Sequence, residues 1–155
     1  MNVLNLTTDR YYNSVQIGRN SEPYDIIYDN YTDHIYIFSM KTGNITFVNP
    51  STMNIIMNVT VAQLEGKEAL IEIMPETGDL LIFSNRSQFY EINGMSGAIS
   101  NVFNGRNFEG YSPYYTYSGG NIYAVNSTAE TVDKLSVSTG SVSYFHLPGN
   151  VRPLF

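Results

Sequence analysis

The chain has 155 residues, a net charge of −6 and no cysteine. The missing cysteine excludes disulfides, thiol chemistry and cysteine-containing zinc sites. The negative charge leaves no basic face for phosphates, which argues against a nucleic-acid partner. Only 14% of the residues are charged, and no apolar run approaches the roughly 20 residues that a membrane span needs.

Residues 1–18 are predicted to be the tail of a repeating unit. Val3–Leu6 is expected to be its third strand, residues 7–9 a turn, and Asn13–Ile17 its fourth strand, ending at Gly18. The alternation of apolar and polar residues is typical of half-buried strands.

The next unit, residues 19–61, has the clearest strand pattern. Runs rich in Ile, Val, Tyr, Phe and Thr alternate with Gly, Pro, Asn and Asp, which build tight turns. The predicted strands are Tyr24–Tyr28, His34–Phe38, Asn44–Val48 and Ile55–Val61. Four short strands joined by tight turns indicate an antiparallel meander.

Two further units follow, residues 62–104 and 105–149, and residues 150–155 begin another. The predicted strands are Ala69–Met74, Leu80–Phe83, Gln88–Ile92, Ala98–Phe103, Tyr114–Tyr117, Asn121–Val125, Thr131–Val137 and Val142–Leu147. A helical turn near Gln63–Glu68 is an alternative at one place, because Leu, Ala, Glu and Lys favour helix there.

The units repeat with a constant period. Similar strand-and-turn segments start at Leu4, Val48, Ile92 and Leu135, which lie 44, 44 and 43 residues apart. A period of about 44 residues with four antiparallel strands is typical of a β-propeller blade. We therefore predict an all-β chain of three four-stranded blades with a partial blade at each end.

Several segments resemble the YVTN-type β-propeller repeat, which has a glycine, a proline, a strand ending in Asp and a Tyr-containing strand. They are Ser14–Gly18, Glu22–Asp29, His34–Phe38 and Ile45–Thr52. The later units depart from this pattern, with Ala69 in place of the proline and Gly119-Gly120 in place of the Asp turn. The resemblance implies a surface-layer or secreted propeller with a binding or scaffold role.

The two histidines, His34 and His146, are the first candidates for chemistry. A metal or catalytic site would need them together with a third ligand. We interpret them as independent residues at strand ends, and no nucleophile elbow, phosphate loop or His-Glu-x-x-His motif is present. No catalytic residue, metal ligand or cofactor is therefore predicted.

An acidic cluster surrounds the first turn and consists of Asp25, Asp29, Asn30 and Asp33. Oxygen ligands at this density suit calcium, but the Asp-x-Asp-x-Asp spacing of a calcium loop is absent. We interpret the cluster as an ordinary capped turn.

Tyrosines near the Gly119-Gly120 turn are the predicted ligand contacts. Exposed tyrosine offers rigid, amphipathic area that suits glycan or protein binding. The predicted contacts are Tyr111, Tyr114, Tyr115 and Tyr117, with Tyr123 nearby. The alternative is that Tyr115 and Tyr117 pack between blades.

Six Asn-x-Ser/Thr sequons favour an extracellular glycoprotein. They lie at Asn5, Asn30, Asn44, Asn58, Asn85 and Asn126. An Asn-rich and Ser/Thr-rich composition produces such sequons without any glycan, and no signal peptide is visible at the start.

The predicted function is a non-enzymatic binding or structural module of a cell-surface or secreted propeller, which recognises a protein or a glycan. The alternatives are a propeller-fold enzyme, such as a lyase or lactonase, and a viral or appendage attachment protein. Three units and a half cannot close a ring of four to eight blades. We therefore expect the rest of a longer propeller, or a homodimer partner, to complete it.

Overall fold

The computed structural model describes residues 2–5, 10–84, 88–104, 115–126 and 129–148. These residues form fourteen strands and one short 3-10 helix at Ala62–Leu64. The strands are β1 (Asn2–Asn5), β2 (Arg10–Ser14), β3 (Pro23–Asp29), β4 (His34–Ser39), β5 (Asn44–Val48), β6 (Ile55–Thr60), β7 (Ala69–Met74), β8 (Asp79–Ser84), β9 (Gln88–Ile92), β10 (Ile99–Asn104), β11 (Tyr115–Ser118), β12 (Asn121–Asn126), β13 (Thr131–Ser136) and β14 (Val142–His146).

The strands form three four-stranded antiparallel sheets, each in chain order. The first sheet is β3-β4-β5-β6, the second is β7-β8-β9-β10 and the third is β11-β12-β13-β14. A separate hairpin consists of β1 and β2. The predicted fold class, all-β with three four-stranded meanders, is confirmed.

The inner strand of each sheet is its first strand. β7 contacts β3 on one side and β11 on the other. The second sheet therefore lies between the first and the third, and the three inner strands are neighbours.

Two apolar clusters hold the sheets together. One joins the first and second sheets through Tyr36, Phe38, Ile45, Phe47, Ile71, Leu80, Ile82 and Ile92. The other joins the second and third sheets through Leu81, Phe83, Phe89, Tyr115, Ile122 and Leu135. Leu80 and Leu81 are adjacent on β8, belong to different clusters and are both fully buried. Burying one such side chain stabilises the fold by about 1.5–3 kcal/mol.

The turns between third and fourth strands reveal why the repeat is visible in the sequence. Asn49 Oδ1 accepts hydrogen bonds from the backbone of Ser51 and Thr52. Asn93 Oδ1, 44 residues later, accepts the same bonds from Met95 and Ser96. An Asn that bonds the backbone two residues ahead specifies this kind of turn.

The structure differs from the sequence prediction at two places. The strand expected at Asn13–Ile17 is instead β2, Arg10–Ser14. Val15 and Ile17 lie after the strand, where they pack against Ile37 in a small cluster. Their alternation therefore reflects contact with the first sheet, not strand pairing.

The second difference is the short 3-10 helix, which falls at the start of the segment where a helical turn was the alternative. Gly43 lies close by, and a Cβ on it would be 2.6 Å from the carbonyl oxygen of Val61. The predicted turn at residues 7–9 and the predicted strand at 150–155 lie outside the described residues. No helix in the described part of the chain is long and apolar enough to cross a membrane.

Candidate binding surface

Strand β3 presents two different faces. Asp25 and Ile27 lie toward the second sheet, where Asp25 Oδ2 accepts a hydrogen bond of 2.8 Å from the Ile71 backbone. The alternate side chains are exposed, with fractions of 41% for Tyr24, 53% for Ile26 and 51% for Tyr28. We call these three side chains the open face of β3. Three large exposed side chains in one row are unusual for a stable sheet face.

A shallow cleft adjoins the open face. Its volume is about 200 Å³, and its lining residues are Ile17, Pro23, Tyr24, Asp25, Ile26 and Ile37. The lining is mostly apolar, and Asp25 is its only charged group. The cleft can therefore accept an apolar side chain from a neighbouring molecule or segment.

The inner strands carry carboxylates and no basic residue. β3, β7 and β11 contain Asp25, Asp29 and Glu72 but neither Lys nor Arg. Burial, and then the nearby Asp25 carboxylate, raises the pKa of Glu72 above its ordinary value. The charged side chains of these three strands are therefore all carboxylates.

Two exposed tyrosines lie beside carboxylates at this surface. The hydroxyl of Tyr28 donates a 3.0 Å hydrogen bond to Asp33 Oδ1. Burial, followed by the Glu68 carboxylate, raises the pKa of the Tyr24 hydroxyl. Tyr31, in the turn after β3, is also exposed. These tyrosines are not among the predicted ligand contacts, although the alternation of Tyr24, Ile26 and Tyr28 is a signal of one shared face.

The tyrosines that were predicted to contact a ligand differ in their burial. Tyr115 is nearly enclosed, its ring lies edge-on to Phe83 at 5.1 Å, and its hydroxyl donates to the Leu70 carbonyl. Burial, and then the charge of Glu72, raises the Tyr115 pKa well above its ordinary value. Tyr115 therefore packs between neighbouring sheets, which was the alternative to a ligand contact.

Tyr117 and Tyr123 are half-buried. The hydroxyl of Tyr117 accepts a hydrogen bond of 3.1 Å from the Gly120 backbone. Tyr111 and Tyr114 lie outside the described residues. A ligand contact by Tyr117, Tyr111 or Tyr114 stays a prediction.

The two histidines lie in different sheets. His34 Nδ1 is 3.3 Å from the carbonyl oxygen of Gly94, and its ring lies edge-on to Tyr36. His146 is on β14 of the third sheet and lies edge-on to Tyr144 at 5.7 Å. The described residues contain no group of three His, Cys, Asp or Glu that could hold a metal ion.

Asp29 of the acidic cluster caps the turn after β3. Asp29 Oδ1 accepts a hydrogen bond from the Tyr31 backbone, and Oδ2 accepts from the backbone and hydroxyl of Thr32. The Thr32 hydroxyl also lies 2.6 Å from the hydroxyl of Tyr36. Burial raises the pKa of Tyr36 to about 12. Asp29 therefore stabilises the turn after β3. Through Thr32 and Tyr36 it also supports the contact of this turn with the second sheet.

The sequon asparagines differ in accessibility. Asn30 lies exposed in the turn after β3. Asn44 and Asn58 are paired across β5 and β6 with the threonine of the other sequon, since each accepts a threonine hydroxyl hydrogen bond of 2.7 Å. Asn126 is buried and donates through Nδ2 to Asp133 at 3.4 Å. The side chain of Asn5 and all of Asn85 lie outside the described residues, and glycosylation stays a prediction.

Comparison with known proteins identifies the architecture. No protein-family model matches the chain, and no curated protein sequence matches it. Solved β-propeller structures do match. The β-propeller domain of Cps50 (Swd1) from Myceliophteria thermophila superposes on 81% of this chain with a TM-score of 0.62 and 16% identity.

Two other solved structures superpose on this chain to a similar extent. AztD from Citrobacter koseri covers 90% of this chain with a TM-score of 0.67 and 12% identity. BBS1N, solved in complex with ARL6DN, covers 90% with a TM-score of 0.66 and 16% identity. This chain spans 43% of the Swd1 domain, 39% of AztD and 45% of BBS1N.

These identities are too low to transfer a function, and the YVTN assignment stays a prediction. The sheet order, the strand count in each sheet and the superpositions agree with one another. The chain therefore has the β-propeller fold and spans less than half the length of the propellers it matches.

Proposed function

We propose that this chain is part of a non-enzymatic β-propeller displayed outside the cell, where it binds a protein or a glycan. Its ring is completed by further blades, either from the rest of a longer protein or from a second copy. The observation that carries this proposal is the exposure of the open face of β3.

Ile26 and Ile71 occupy equivalent places in neighbouring sheets. They lie 45 residues apart, and they pair with Ile37 and Ile82, which are also 45 residues apart. Ile71 is 4% exposed because β3 of the preceding sheet covers it, whereas Ile26 is 53% exposed. The open face of β3 therefore carries side chains of the kind that a neighbouring sheet covers at Ile71. We infer that a preceding sheet covers the open face in the same way.

The exposed aromatic groups support a binding role. Tyr31 is 64% exposed in the turn after β3, outside the open face, and it lies two residues before Asp33 in the sequence. Aromatic rings with adjacent hydrogen-bond acceptors suit both protein surfaces and sugars. BBS1N shows that a propeller of similar fold can form a protein complex. Display outside the cell is supported by the exposed sequon at Asn30.

Light scattering coupled to gel filtration tests the ring-completion part of the proposal. The 155-residue chain should have a mass above that of a monomer, and Ile26→Lys should reduce it, because a charge on the open face opposes burial. Ile56→Lys is the matched control, since Ile56 is also an exposed isoleucine, at 42%, but lies on the outer strand β6. A monomer that melts cooperatively and binds no hydrophobic dye would contradict completion of the ring by a second copy.

The recognition part needs a separate measurement. Binding of the native chain to a panel of immobilised glycans should be compared with binding of Tyr31→Ala, which removes a 64% exposed ring that belongs to none of the apolar clusters. We expect the variant to lose at least tenfold in affinity for any glycan bound. A glycan bound equally by both proteins would contradict recognition at this turn.

A further inference from the structure

We propose that two copies of this chain pair with each other along β14, the outer strand of the third sheet. The two strands run antiparallel about a two-fold axis at Tyr144, and they join the third sheets of both copies into one continuous sheet. This inference goes beyond the proposed function, because β14 lies at the outer edge of its sheet and takes no part in the open face of β3.

The three outer strands differ in how regularly they pair. β6, β10 and β14 are each the last strand of a four-stranded sheet. The pairing of β6 with its neighbour skips Ile56, and that of β10 skips Ser100, so both strands contain a β-bulge. β14 pairs with β13 residue by residue from Val142 to His146, without a shift. Bulges are one of the devices by which natural proteins prevent pairing at a sheet edge, and β14 lacks this device.

The composition of β14 also leaves its edge unprotected. The strand reads Val-Ser-Tyr-Phe-His and contains no charged residue and no proline. Tyr144 is 65% exposed, and Phe145 is 57% exposed. Adjacent residues of a strand point to opposite faces, so both faces of β14 are open at this place. A regular, uncharged edge with exposed aromatic side chains is a surface for strand pairing.

Two backbone hydrogen bonds fix the direction of the groups on β14. The Leu147 N–H donates to the Glu130 carbonyl at 2.8 Å, just beyond one end of the ladder between β13 and β14. The Ser136 N–H donates to the Ser141 carbonyl at 2.9 Å, at the other end. Hydrogen-bonded pairs alternate along an antiparallel ladder, and both ends give the same alternation.

The alternation divides the residues of β14 into two sets. The backbone groups of Ser143 and Phe145 bond to β13, whereas those of Val142, Tyr144 and His146 point away from the sheet. In the part of the chain that the structure describes, no strand pairs with this side of β14. The outward groups are therefore available to a strand from another molecule.

The outward groups select a second copy of the same strand. They are arranged symmetrically about Tyr144, so an antiparallel second copy places Tyr144 opposite Tyr144 and Val142 opposite His146. Each outward backbone group of the strand then has a partner. No like charges face each other, because the strand carries none. The edge is thus complementary to itself, as a two-fold interface requires.

The side chains favour the same register. Tyr144 and His146 lie on one face of β14, and their rings are edge-on at 5.7 Å. In the pair of strands the two Tyr144 rings are direct cross-strand neighbours, so the rings of both copies form one row. Cross-strand aromatic pairs stabilise antiparallel sheets.

An engineered cysteine tests the pairing, and the absence of native cysteine gives a clean background. The full chain carrying Tyr144→Cys is oxidised with glutathione and run on a non-reducing gel. Opposite residues of a hydrogen-bonded pair have Cα atoms about 5.5 Å apart, which a disulfide can bridge. The matched controls are Ile56→Cys and Val102→Cys, which are exposed positions on the bulged strands β6 and β10. Ser143→Cys tests the register, because Ser143 would lie opposite Phe145 and not opposite itself.

We expect Tyr144→Cys to form covalent dimers at least about fivefold faster than each of the other variants, because only its thiols lie within disulfide reach. Equal rates in Ile56→Cys or Val102→Cys would overturn the interface. Equal or faster cross-linking of Ser143→Cys would overturn the register about Tyr144.

Light scattering separates this dimer from completion of the ring by a second copy. Tyr144→Lys places like charges opposite each other and should lower the mass of the native assembly, whereas Val102→Lys should leave the mass unchanged. A mass that falls with Ile26→Lys but not with Tyr144→Lys would overturn pairing along β14, while ring completion stands. A mass that falls only with Tyr144→Lys would support the pairing and contradict ring completion by a second copy. A monomeric native chain overturns both.

Discussion

The interface between the first and second sheets and the one between the second and third use the same apolar packing but different polar contacts. In each, one tyrosine hydroxyl crosses to a backbone carbonyl of the neighbouring sheet. Tyr36 donates to Gly94 at 3.2 Å, and Tyr115 donates to Leu70. The Tyr36 hydroxyl also contacts Thr32, whereas Tyr115 lies near the half-buried Glu72. Apolar burial is therefore common to both interfaces between neighbouring sheets, while the polar contacts differ from one interface to the next.

The largest expected effect tests whether the two apolar clusters are equally strong. Leu80→Ala and Leu81→Ala should each lower the free energy of unfolding by about 3 kcal/mol, because each leaves a cavity in a fully buried site. Chemical denaturation measures both. If Leu81→Ala costs less than about 1 kcal/mol while Leu80→Ala has the expected cost, the third sheet does not pack on the second as described.

Removing the tyrosine hydroxyls should have a smaller effect at both interfaces. Tyr36→Phe and Tyr115→Phe should each cost about 1–2 kcal/mol, because each hydroxyl has two hydrogen-bond partners outside its own strand. Both changes keep the ring, so packing is preserved. Thermal melts measure the two costs, and an unchanged melting temperature in either variant would contradict the hydrogen bonds described for its hydroxyl.

The smallest expected effect concerns pH at the second interface. The raised pKa of Glu72 means that the folded chain binds this proton more tightly than the unfolded chain does. Its contribution to stability is therefore complete below the unfolded pKa and is lost as the pH rises through the folded pKa. Glu72→Gln should be more stable than the native chain at pH 7 and should lose that advantage near pH 4. Melting temperatures measured across this range check it, and an advantage independent of pH would argue against the ionisation of Glu72 as the cause.

Much of the fold was predictable because its signals are local. The period-2 alternation of β3 and the Asn49 and Asn93 turns depend on residues adjacent in sequence, and these gave the strands and the repeat. The direction of a side chain in a strand follows from such a pattern as well.

The segment that covers a sheet face is distant in sequence, so the pattern of one strand does not predict whether its face is buried or exposed. Tyr115 and Tyr24 are both tyrosines on inner strands, yet one is buried and the other exposed. The difference depends on a neighbouring sheet about 45 residues away, which no local pattern encodes. Val15 and Ile17 were misassigned to a strand for the same reason, since their partner is Ile37 of the first sheet.

The position of the second sheet between the two others affects the order in which the three sheets unfold. In a row of repeats, stability is nearly a sum of terms for each repeat and for each contact between neighbours. The second sheet takes part in both contacts, so opening it separates the remaining sheets completely, whereas opening the third sheet leaves a pair. Its backbone amides should therefore be the slowest in the chain to exchange with solvent deuterium, and a protease should release the outer sheets before it reaches β8.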